Sequence, residues 1–374
     1  MKLHALGIPH TVTSKEYLSC AFTQKVLKFC HMMNQDYEIV HYGHEDSEVN
    51  CSEHVTVTTN DDLLKAYGSY DWKKEFFKHN TSDHAHQTFY QKAEIELKKR
   101  VKEGDAILCF WGKGHQPVAD EFAEKCFIIE PGIGYDAAST FAPHKVFESY
   151  AVMHNIYGEL GIKQPAWYDA VIPNYFDIND FEFSCAKSNY ILYLGRVTEI
   201  KGLHIAIQAT EKAGKKLLIA GQGDLTSIGY KKIPSHVDHV GFADVNKRKQ
   251  LLKNAQALIL PTHYIEPFGG VTIEALFSGT PIITSDWGCF AENNLHGITG
   301  YRCRNMNHFV WALENIKNIV PANCKDWANN NFSLERVSEM YKEYFENIDD
   351  LNRDGFYQLN NKNDLNWLNK HYPR

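Results

Sequence analysis

The residues best suited to chemistry lie in one segment, residues 261–275, which reads Pro-Thr-His-Tyr-Ile-Glu-Pro-Phe-Gly-Gly-Val-Thr-Ile-Glu-Ala. It joins a predicted strand to a predicted helix, and the pair Gly269-Gly270 at the junction leaves the first helical amides available to an anion. Glu266 precedes the glycines and Glu274 follows them by about one turn, so a phosphate bound there would have a carboxylate on each side. A nucleotide sugar has matching chemistry, since it is a pyrophosphate flanked by two hydroxylated rings and carboxylates accept hydrogen bonds from sugar hydroxyls.

A second loop carries cations. Residues 194–203 read Leu-Gly-Arg-Val-Thr-Glu-Ile-Lys-Gly-Leu, again between a predicted strand and a predicted helix. Arg196 and Lys201 therefore follow the carboxyl end of a strand, where open α/β sheets bind ligands and where two fixed cations could stabilise a leaving pyrophosphate. The alternatives are ordinary ones: two surface cations, a loop acid at Glu266, and at Glu274 a helix acid favoured by the macrodipole.

The elements that would position these loops follow a repeated strand–helix pattern. Short apolar runs alternate with amphipathic stretches, which predicts βα units, parallel sheets and the α/β class. The predicted strands are Tyr37–Tyr42, Asp105–Trp111, Cys126–Glu130, Asp169–Ile172, Tyr190–Leu194, Lys216–Ala220, Ala257–Leu260 and Pro281–Thr284. The predicted helices are Glu16–Asn34, Phe89–Lys102, Leu203–Ala213, Lys247–Ala255 and Val271–Phe277, with an apolar stripe of helical period in residues 333–347.

The length of 374 residues predicts two domains, each able to bury a core. A break near Ile172-Pro173-Asn174 and the polar stretch up to Asn189 divides the repeats, so we expect an N-terminal domain at residues 1–173 and a C-terminal domain at 174–348. Residues 349–374 keep several aromatic residues, and we expect this tail to pack back on the N-terminal domain.

Composition excludes several classes of protein. Hydrophobic residues make up 44% of the chain, with 24 glycines and 12 prolines, which argues against fibrous and disordered proteins. The net charge of −7 offers no general attraction to nucleic acid. No run approaches the roughly 18 apolar residues of a membrane span, no apolar signal segment opens the chain, and nine cysteines without a CxxC suit reduced thiols. We therefore expect a cytoplasmic protein.

Together these segments resemble the retaining glycosyltransferases of the GT-B fold known as family 4, or glycosyl transferases group 1. The resemblance covers most of residues 171–347. The matching motifs are Ile172-Pro173-Asn174, Gly195-Arg196 with Lys201-Gly202, Ala220-Gly221-Gln222-Gly223-Asp224, Val240-Gly241-Phe242 and the E-x7-E spacing of Glu266 and Glu274. It implies two Rossmann-like domains whose parallel sheets face a central cleft, with the acceptor bound by the first domain and the donor by the second.

The same resemblance implies roles for individual residues. Arg196 and Lys201 would contact the donor diphosphate, and Glu266 would hold the transferred sugar; these three are the expected catalytic residues. The expected donor-binding residues are Gly7, Gly241, Phe242, Phe268, Gly269, Gly270, Val271, Thr272 and Glu274, of which Glu274 would bind the ribose. Gly7 stands alone where family members usually have two glycines in tandem. On the acceptor or sugar side, His115 and Glu130 follow middle strands of the first half and are candidates, with a structural role as the alternative for each.

The expected reaction is transfer of a sugar from a nucleoside-diphosphate sugar, UDP- or GDP-linked, to a hydroxyl of a glycan or glycoconjugate, with retention at the anomeric carbon. We expect no metal and no cofactor beyond the co-substrate, because the chain has no Asp-x-Asp and Arg196 and Lys201 can supply the positive charge. The alternatives are a nucleotide-sugar epimerase or phosphorylase on the same fold, and a non-catalytic subunit that binds a nucleotide sugar or a glycan.

Three further patterns have structural interpretations. Asp83-His84-Ala85-His86 offers two histidines without an evident third metal ligand, which is typical of a solvated loop. Lys247-Arg248-Lys249 is most simply the solvent face of a helix. One group of aromatic residues could stack on an acceptor sugar but is more typical of a core: Tyr67, Tyr70, Trp72, Phe76, Phe77, Phe89 and Tyr90.

Overall fold

Two parallel β-sheets organise the chain, one in each of two units. The computed structural model describes residues 1–354 except 18, 19, 74 and 76, with side chains described as far as residue 350. The first unit comprises Met1–Glu148, Met153–Tyr175 and the described residues from Val337 onward, and the second comprises Ser149–Val152 and Phe176–Arg336.

The first unit is built on a seven-stranded sheet. In chain order its strands are β1 (Leu3–Leu6), β2 (Ile39–His44), β3 (Glu53–Thr58), β4 (Ala106–Cys109), β5 (Phe127–Ile133), β6 (His144–Phe147) and β7 (Ala170–Val171). The spatial order is β3-β2-β1-β4-β5-β6-β7, and every neighbouring pair is parallel. β1, β2, β4 and β5 are buried along their whole length, as expected for strands covered on both faces.

Helices follow these strands in the βα pattern. They are α1 (Ala21–Met33), α2 (Asn60–Tyr67), α3 (His84–Lys98), α4 (Gln116–Ala119) and α5 (Tyr150–Leu160), of which α5 belongs to this unit from Met153 onward. Side-chain caps start two of them: Thr59 accepts a hydrogen bond from the amide of Asp62, and Asp83 accepts one from the amide of His86, which satisfies first-turn donors. The Asp83-His84-Ala85-His86 segment is therefore the start of α3.

The second unit has a six-stranded parallel sheet with the order β10-β9-β8-β11-β12-β13. Its strands are β8 (Ile191–Leu194), β9 (Leu217–Ala220), β10 (Val237–His239), β11 (Ala257–Leu260), β12 (Ile282–Ser285) and β13 (Gly300–Cys303). The helices are α6 (Leu203–Lys212), α7 (Val245–Asn254), α8 (Gly270–Phe277), α9 (Phe290–Asn293), α10 (Met306–Asn315) and α11 (Pro321–Phe332), followed by α12 (Leu334–Asp354). One apolar core joins the sheet to α6, α8, α10 and α11.

The apolar stripe predicted in residues 333–347 is the buried face of α12. Val337 and Tyr341 are almost fully buried. Tyr341 packs edge-on against Phe29 of α1 with ring centroids 5.1 Å apart, and Phe345 packs against Tyr37 at 5.4 Å. Because these contacts belong to the first unit, α12 joins that unit from Val337 onward.

This packing bears on where the chain divides. The division in the structure falls between Tyr175 and Phe176, and residues from 337 group with the first unit, whereas the sequence motifs place a boundary at 173/174 and keep residues up to 348 in the C-terminal domain. Residues 349–354 are the last turns of α12. The rest of the predicted tail lies outside the described residues.

All eight predicted strands are present, with ends shifted by a few residues, so the α/β class and the parallel sheets are confirmed. Pattern reading missed β1, β3, β6, β10 and β13. β10 is only three residues long and β3 reads Glu-His-Val-Thr-Val-Thr, so neither offers the apolar run by which a buried strand is recognised.

Two further properties concern the helices and the cysteines. In the described part of the chain, no helix combines the length and the apolar character that crossing a membrane requires. All nine cysteines have free thiols, and seven of them are buried.

Candidate active site

The carboxyl edge of the second unit's sheet brings the predicted donor-binding loops together. The amide of Val197, after β8, donates to the carbonyl of Gln222, after β9, at 2.9 Å, and the amide of Gly221 donates to the carbonyl of Gly241, after β10, at 2.9 Å. A Cβ at Gly221 would lie 1.9 Å from the carbonyl oxygen of Gly195, so this close approach of two loops requires glycine. Three loops from adjacent strands thus form one hydrogen-bonded surface.

Lys201 and Glu266 meet at this edge. The Lys201 ammonium donates to both carboxylate oxygens of Glu266, at 2.8 and 3.1 Å, and to the hydroxyl of Tyr264. It also lies 4.7 Å from the centre of the Tyr264 ring. The two charged side chains are only 17% and 9% exposed, so they form a largely desolvated pair, which depends on good geometry for its stability.

Tyr264 completes this cluster as a neutral hydroxyl. Burial, and then the adjacent Glu266 carboxylate, raise the pKa of Tyr264 far above its ordinary value, because both disfavour a phenolate. The hydroxyl therefore stays protonated beside Glu266 and accepts a hydrogen bond from Lys201. We refer to Lys201, Tyr264 and Glu266 as the Lys–Tyr–Glu cluster.

A glycine sets the position of Lys201. Gly202 follows the short 3-10 turn Glu199–Lys201 and has φ +69° at the start of α6. A Cβ there would lie 1.8 Å from the carbonyl oxygen of Pro261, in the loop that carries Glu266. Only glycine combines this φ with so close an approach, and the backbone contact brings the two loops of the cluster together.

The segment before α8 begins a helix without a side-chain cap, which leaves amides available as the glycine pair predicts. Gly269 is the N-cap, with φ +68° and no capping side chain. The amide and the hydroxyl of Thr272 both bond to the carbonyl of Gly269, at 2.8 and 2.7 Å. The amides of Gly270 and Val271 have no intrahelical acceptor, so they are the first-turn donors for a ligand, and Thr272 would have to share its own. Phe268 is buried in the core and anchors the turn.

Glu274 has a partner that pattern reading missed. Nε of Arg248, on α7, donates to a carboxylate oxygen of Glu274 at 2.5 Å, and the two side chains are 26% and 15% exposed. The interpretation of Lys247-Arg248-Lys249 as a purely solvated helix face is therefore wrong at Arg248, because α7 packs beside α8 and turns this side chain toward it.

The other predicted residues of the second unit lie on the same edge. Arg196 is exposed in the loop after β8. Burial raises the pKa of the Tyr193 and Tyr264 hydroxyls, and the positive charge of Arg196 opposes part of that rise. Gly241 has φ +68° and is partly buried, like Phe242. This edge thus presents Arg196, the Lys–Tyr–Glu cluster and the amides of α8 in one unit.

In the first unit, His115 lies directly behind the Gly7 loop. His115 is fully buried, its Nε2 bonds to the carbonyl oxygen of Gly7 at 2.9 Å, and its Nδ1 accepts from the amide of Trp111 at 3.3 Å. Burial lowers the pKa of His115 to about 3, so the ring is neutral, with the proton assigned to Nε2 by its acceptor. Both ring nitrogens of His115 bond to backbone groups. These contacts favour a structural role for His115, which is the alternative to a role in acceptor or sugar binding.

Glu130 is also fully buried. It accepts from the hydroxyl of Tyr135 at 2.8 Å and from the amides of Phe141 and Ala142 at 3.1 and 2.9 Å. These bonds favour the carboxylate, but burial outweighs them and raises the pKa of Glu130 to about 7. Glu130 thus anchors the loop after β5.

Metal ligands come together at one place in the described residues: the side chains of His44, Glu45 and Asp46 converge. Glu45 and Asp46 each accept a bond from Asn60, at 2.7 Å, so they secure the start of α2.

Tyr264 and Arg248 are the site residues that pattern reading did not select. Tyr264 lies two residues before Glu266 in the same loop, and that position was the available signal. Arg248 had no signal in the sequence, because its contact with Glu274 depends on the packing of α7 beside α8.

The two sheets and their connections define a GT-B glycosyltransferase fold. The structure is similar to that of Anabaena Alr3699/HepE in complex with UDP and glucose, with a TM-score of 0.65, coverage of 92% of this chain and 98% of that chain, and 15% identical residues.

Within that fold, residues 177–331 match the family model described as glycosyl transferases group 1, so this segment is a domain of that family. The chain is 29% identical over 199 residues to the uncharacterized glycosyltransferase MJ1607 of Methanocaldococcus jannaschii, covering 47% of this chain and 49% of that protein. It is 37% identical over 123 residues to the glycogen synthase of Mycobacterium tuberculosis, covering 30% of each. These matches span about half or less of the length of the curated relatives.

Proposed function

We propose that this chain transfers a sugar from a nucleoside-diphosphate sugar to an acceptor hydroxyl, with retention of the anomeric configuration and without a metal. The observation that carries the proposal is the Lys–Tyr–Glu cluster, whose Glu266 lies three residues before Gly269, the N-cap of α8, where no side chain caps the helix. The glycosyl transferases group 1 domain and the UDP and glucose in the similar Anabaena structure support a nucleotide-sugar donor.

Lys201 can bind a phosphate without leaving the cluster. A lysine ammonium has three N–H donors, and these face both oxygens of Glu266 and the hydroxyl of Tyr264, so a phosphate oxygen would share one of them. That donor, the Arg196 guanidinium and the amides of Gly270 and Val271 then supply hydrogen bonds and positive potential to a diphosphate. Lys201 and the α8 amides are held in place before the ligand arrives, so little reorganisation of these groups is needed as charge develops.

Glu266 is suited to positioning the sugar. Its carboxylate is held by Lys201 at both oxygens, and its remaining lone pairs can accept from sugar hydroxyls. Held in this way, it orients the ring and does not act as a nucleophile. Glu274 plays the corresponding part for the ribose, with Arg248 fixing its carboxylate.

In the reaction, the bond from the anomeric carbon to the phosphate oxygen breaks, and a bond from the acceptor oxygen to that carbon forms on the same face. The acceptor proton passes to an oxygen of the leaving diphosphate. Arg196, Lys201 and the α8 amides stabilise the departing charge, which is the role that a divalent cation would otherwise fill. The acceptor is a glycan or glycoconjugate, and the free, mostly buried thiols suit a reducing compartment such as the cytoplasm.

The test is transfer activity in three variants, Arg196→Ala, Lys201→Ala and Glu266→Ala, beside the control Lys253→Ala, which removes a half-buried lysine of the same unit that pairs with Glu182. We expect each site variant to lose at least about a hundredfold in turnover, the order found when one oxyanion donor is removed, and the control to stay at wild-type level. Unchanged turnover in all three site variants would refute the assignment.

Two measurements separate this function from its alternatives. Thermal shifts with UDP-, GDP-, ADP- and dTDP-sugars identify the donor, since a bound ligand stabilises the native state by RT ln(1 + [L]/Kd). NMR of the product then gives the anomeric configuration, and an inverted linkage contradicts retention. Donor binding without transfer or hydrolysis would indicate a binding subunit, and conversion of the donor without an acceptor would indicate an epimerase.

A further inference from the structure

The first unit contains a pocket of about 630 Å³ that the proposed donor chemistry does not use. Its volume falls in the range of about 300–1,000 Å³ usual for small-molecule sites. Five rings line it, those of Phe22, His79, Tyr90, Trp111 and Tyr135.

The pocket lies where a parallel sheet is expected to bind ligands. Trp111 comes two residues after β4, and Tyr135 comes two residues after β5. β4 and β5 are neighbours in the sheet and run parallel, so both rings stand at its carboxyl edge, outside the strand ends.

Two glycines, Gly112 and Gly114, leave room for the rings of Trp111 and Tyr135. A Cβ at Gly114 would lie 1.9 Å from Cδ1 of Trp111. A Cβ at Gly112, where φ is +52°, would lie 2.5 Å from the carbonyl oxygen of Ser139 and 3.0 Å from the ring of Tyr135. Any larger residue at either position would displace a pocket wall.

Buried polar groups hold the same two residues from behind. The amide of Trp111 donates to His115, and the hydroxyl of Tyr135 donates to Glu130. His115 and Glu130 are both fully buried, so they position the pocket walls and do not line the pocket. Phe22 adds a further wall, edge-on to Trp111 with ring centroids 4.7 Å apart.

Polar groups accompany the rings. Lys113, Gln87, Asp136 and Ser139 also line the pocket. One cation and one anion nearly balance, so the lining does not select for a strongly charged ligand. A ligand that presents an apolar face to aromatic rings and a rim of hydroxyls to amide, hydroxyl and charged groups matches this lining.

We propose that this pocket binds a pyranose ring of a glycan or glycoside, with the carbon–hydrogen face of the sugar against Trp111 and its hydroxyls toward Lys113, Gln87 and Ser139. The proposal rests on the proposed function only in identifying that glycan as the acceptor. The aromatic residues considered from the sequence differ from this set except at Tyr90. Phe89 is fully buried in the core, and Phe76 lies outside the described residues.

The test is binding of a panel of methyl pyranosides (gluco, manno, galacto and N-acetylglucosaminide) to the whole protein, by saturation-transfer NMR and titration calorimetry, without a nucleotide sugar. We expect saturation of ring carbon–hydrogen protons for at least one member. Trp111→Ala should raise its Kd about tenfold and Trp111→Phe about threefold. Trp167→Ala removes a tryptophan of the same unit that is 75% exposed and should leave the Kd unchanged.

Three results would overturn the proposal: no pyranoside bound at 10 mM, equal effects of the Trp111 and Trp167 variants, or Trp111-dependent binding of uridine or guanosine in place of glycosides. If Trp111→Ala does not fold, Trp111→Phe and Lys113→Ala, a change at an exposed side chain, decide the question, with Lys113→Ala expected to raise the Kd about twofold to threefold. Loss of donor binding or transfer in the Lys201 and Glu266 variants is a separate measurement, so either proposal can fail alone.

Discussion

The Lys–Tyr–Glu cluster predicts a strong energetic coupling between Lys201 and Glu266. The perturbation is a double-mutant cycle of Lys201→Met, Glu266→Gln and the double variant. Each substitution removes a charge and keeps most of the side-chain volume, so the cycle isolates the ion pair from packing.

The magnitude follows from the burial of the pair. Removing one partner of a fully buried ion pair costs about 3–5 kcal/mol, because the other charge is left without compensation. Here the side chains of Lys201 and Glu266 are still 17% and 9% exposed, so water partly compensates the stranded charge and we expect about 2 kcal/mol for each single variant. The double variant leaves no stranded charge and should cost about as much as one single variant, which gives a coupling of about 2 kcal/mol.

The assay is scanning calorimetry of the four proteins, following the transition of the second unit. For a domain of this size, about 2 kcal/mol corresponds to about 4–8 °C in Tm. Lys253 and Glu182 form the matched control, because they pair at 2.6 Å in the same unit but are 32% and 41% exposed. Their cycle should give a coupling of about 0.5 kcal/mol.

Additive effects of Lys201→Met and Glu266→Gln would refute the reasoning, since they would mean that the two side chains do not interact in solution. Equal couplings in the two cycles would also contradict it, because burial is the only difference invoked between them.

Three further predictions follow from single side chains. Arg248→Ala should raise the donor KM severalfold with a smaller change in kcat, because Glu274 loses the group that orients it; steady-state kinetics measures this, and an unchanged KM contradicts it. Burial raises the pKa of Glu130 to about 7, so the folded state keeps a proton that the unfolded chain releases above about pH 4.3, and stability should fall by about 3 kcal/mol between about pH 4.5 and pH 7. Urea unfolding of Glu130→Gln should lack this decline, and parallel pH profiles of variant and wild type would count against it. Gly202→Ala should destabilise far more than Gly214→Ala: both have positive φ, but only at Gly202 would the Cβ meet backbone, and similar Tm losses would show that the loop contact is not close.

Much of the fold could be predicted because its signals are local. Eight strands are recognisable in the sequence as apolar runs. A continuous run such as Tyr190–Leu194 predicts a buried parallel strand without knowledge of its neighbours. The glycine pair before α8 likewise predicts a helix start that can receive an anion. β10 and β3 were not predicted from the sequence, because a strand that is only three residues long or mostly polar is defined by its pairing with a neighbour and not by its own residue pattern.

The candidate site shows the same difference between what local sequence predicts and what depends on tertiary contacts. Residue type and position after a strand select Arg196, Lys201, Glu266 and Glu274 as candidates, because the carboxyl ends of parallel strands collect on one edge. Residues 65 apart in the chain, such as Lys201 and Glu266, become partners only through the order of the strands. The sequence therefore determined which groups stand at the edge, and only the tertiary structure decided which charge pairs with which.

The first unit shows the contrast most clearly. His115 and Glu130 were selectable as polar residues at strand ends, but burial is a property of the whole packed unit and cannot be read from one position. The structure turns both side chains inward, where they hold Trp111 and Tyr135 at the wall of a pocket. The sequence determined the residue types at this edge. The tertiary structure decided which of them reach a ligand, because the same polar groups that would bind a sugar also satisfy buried backbone when packing closes over them.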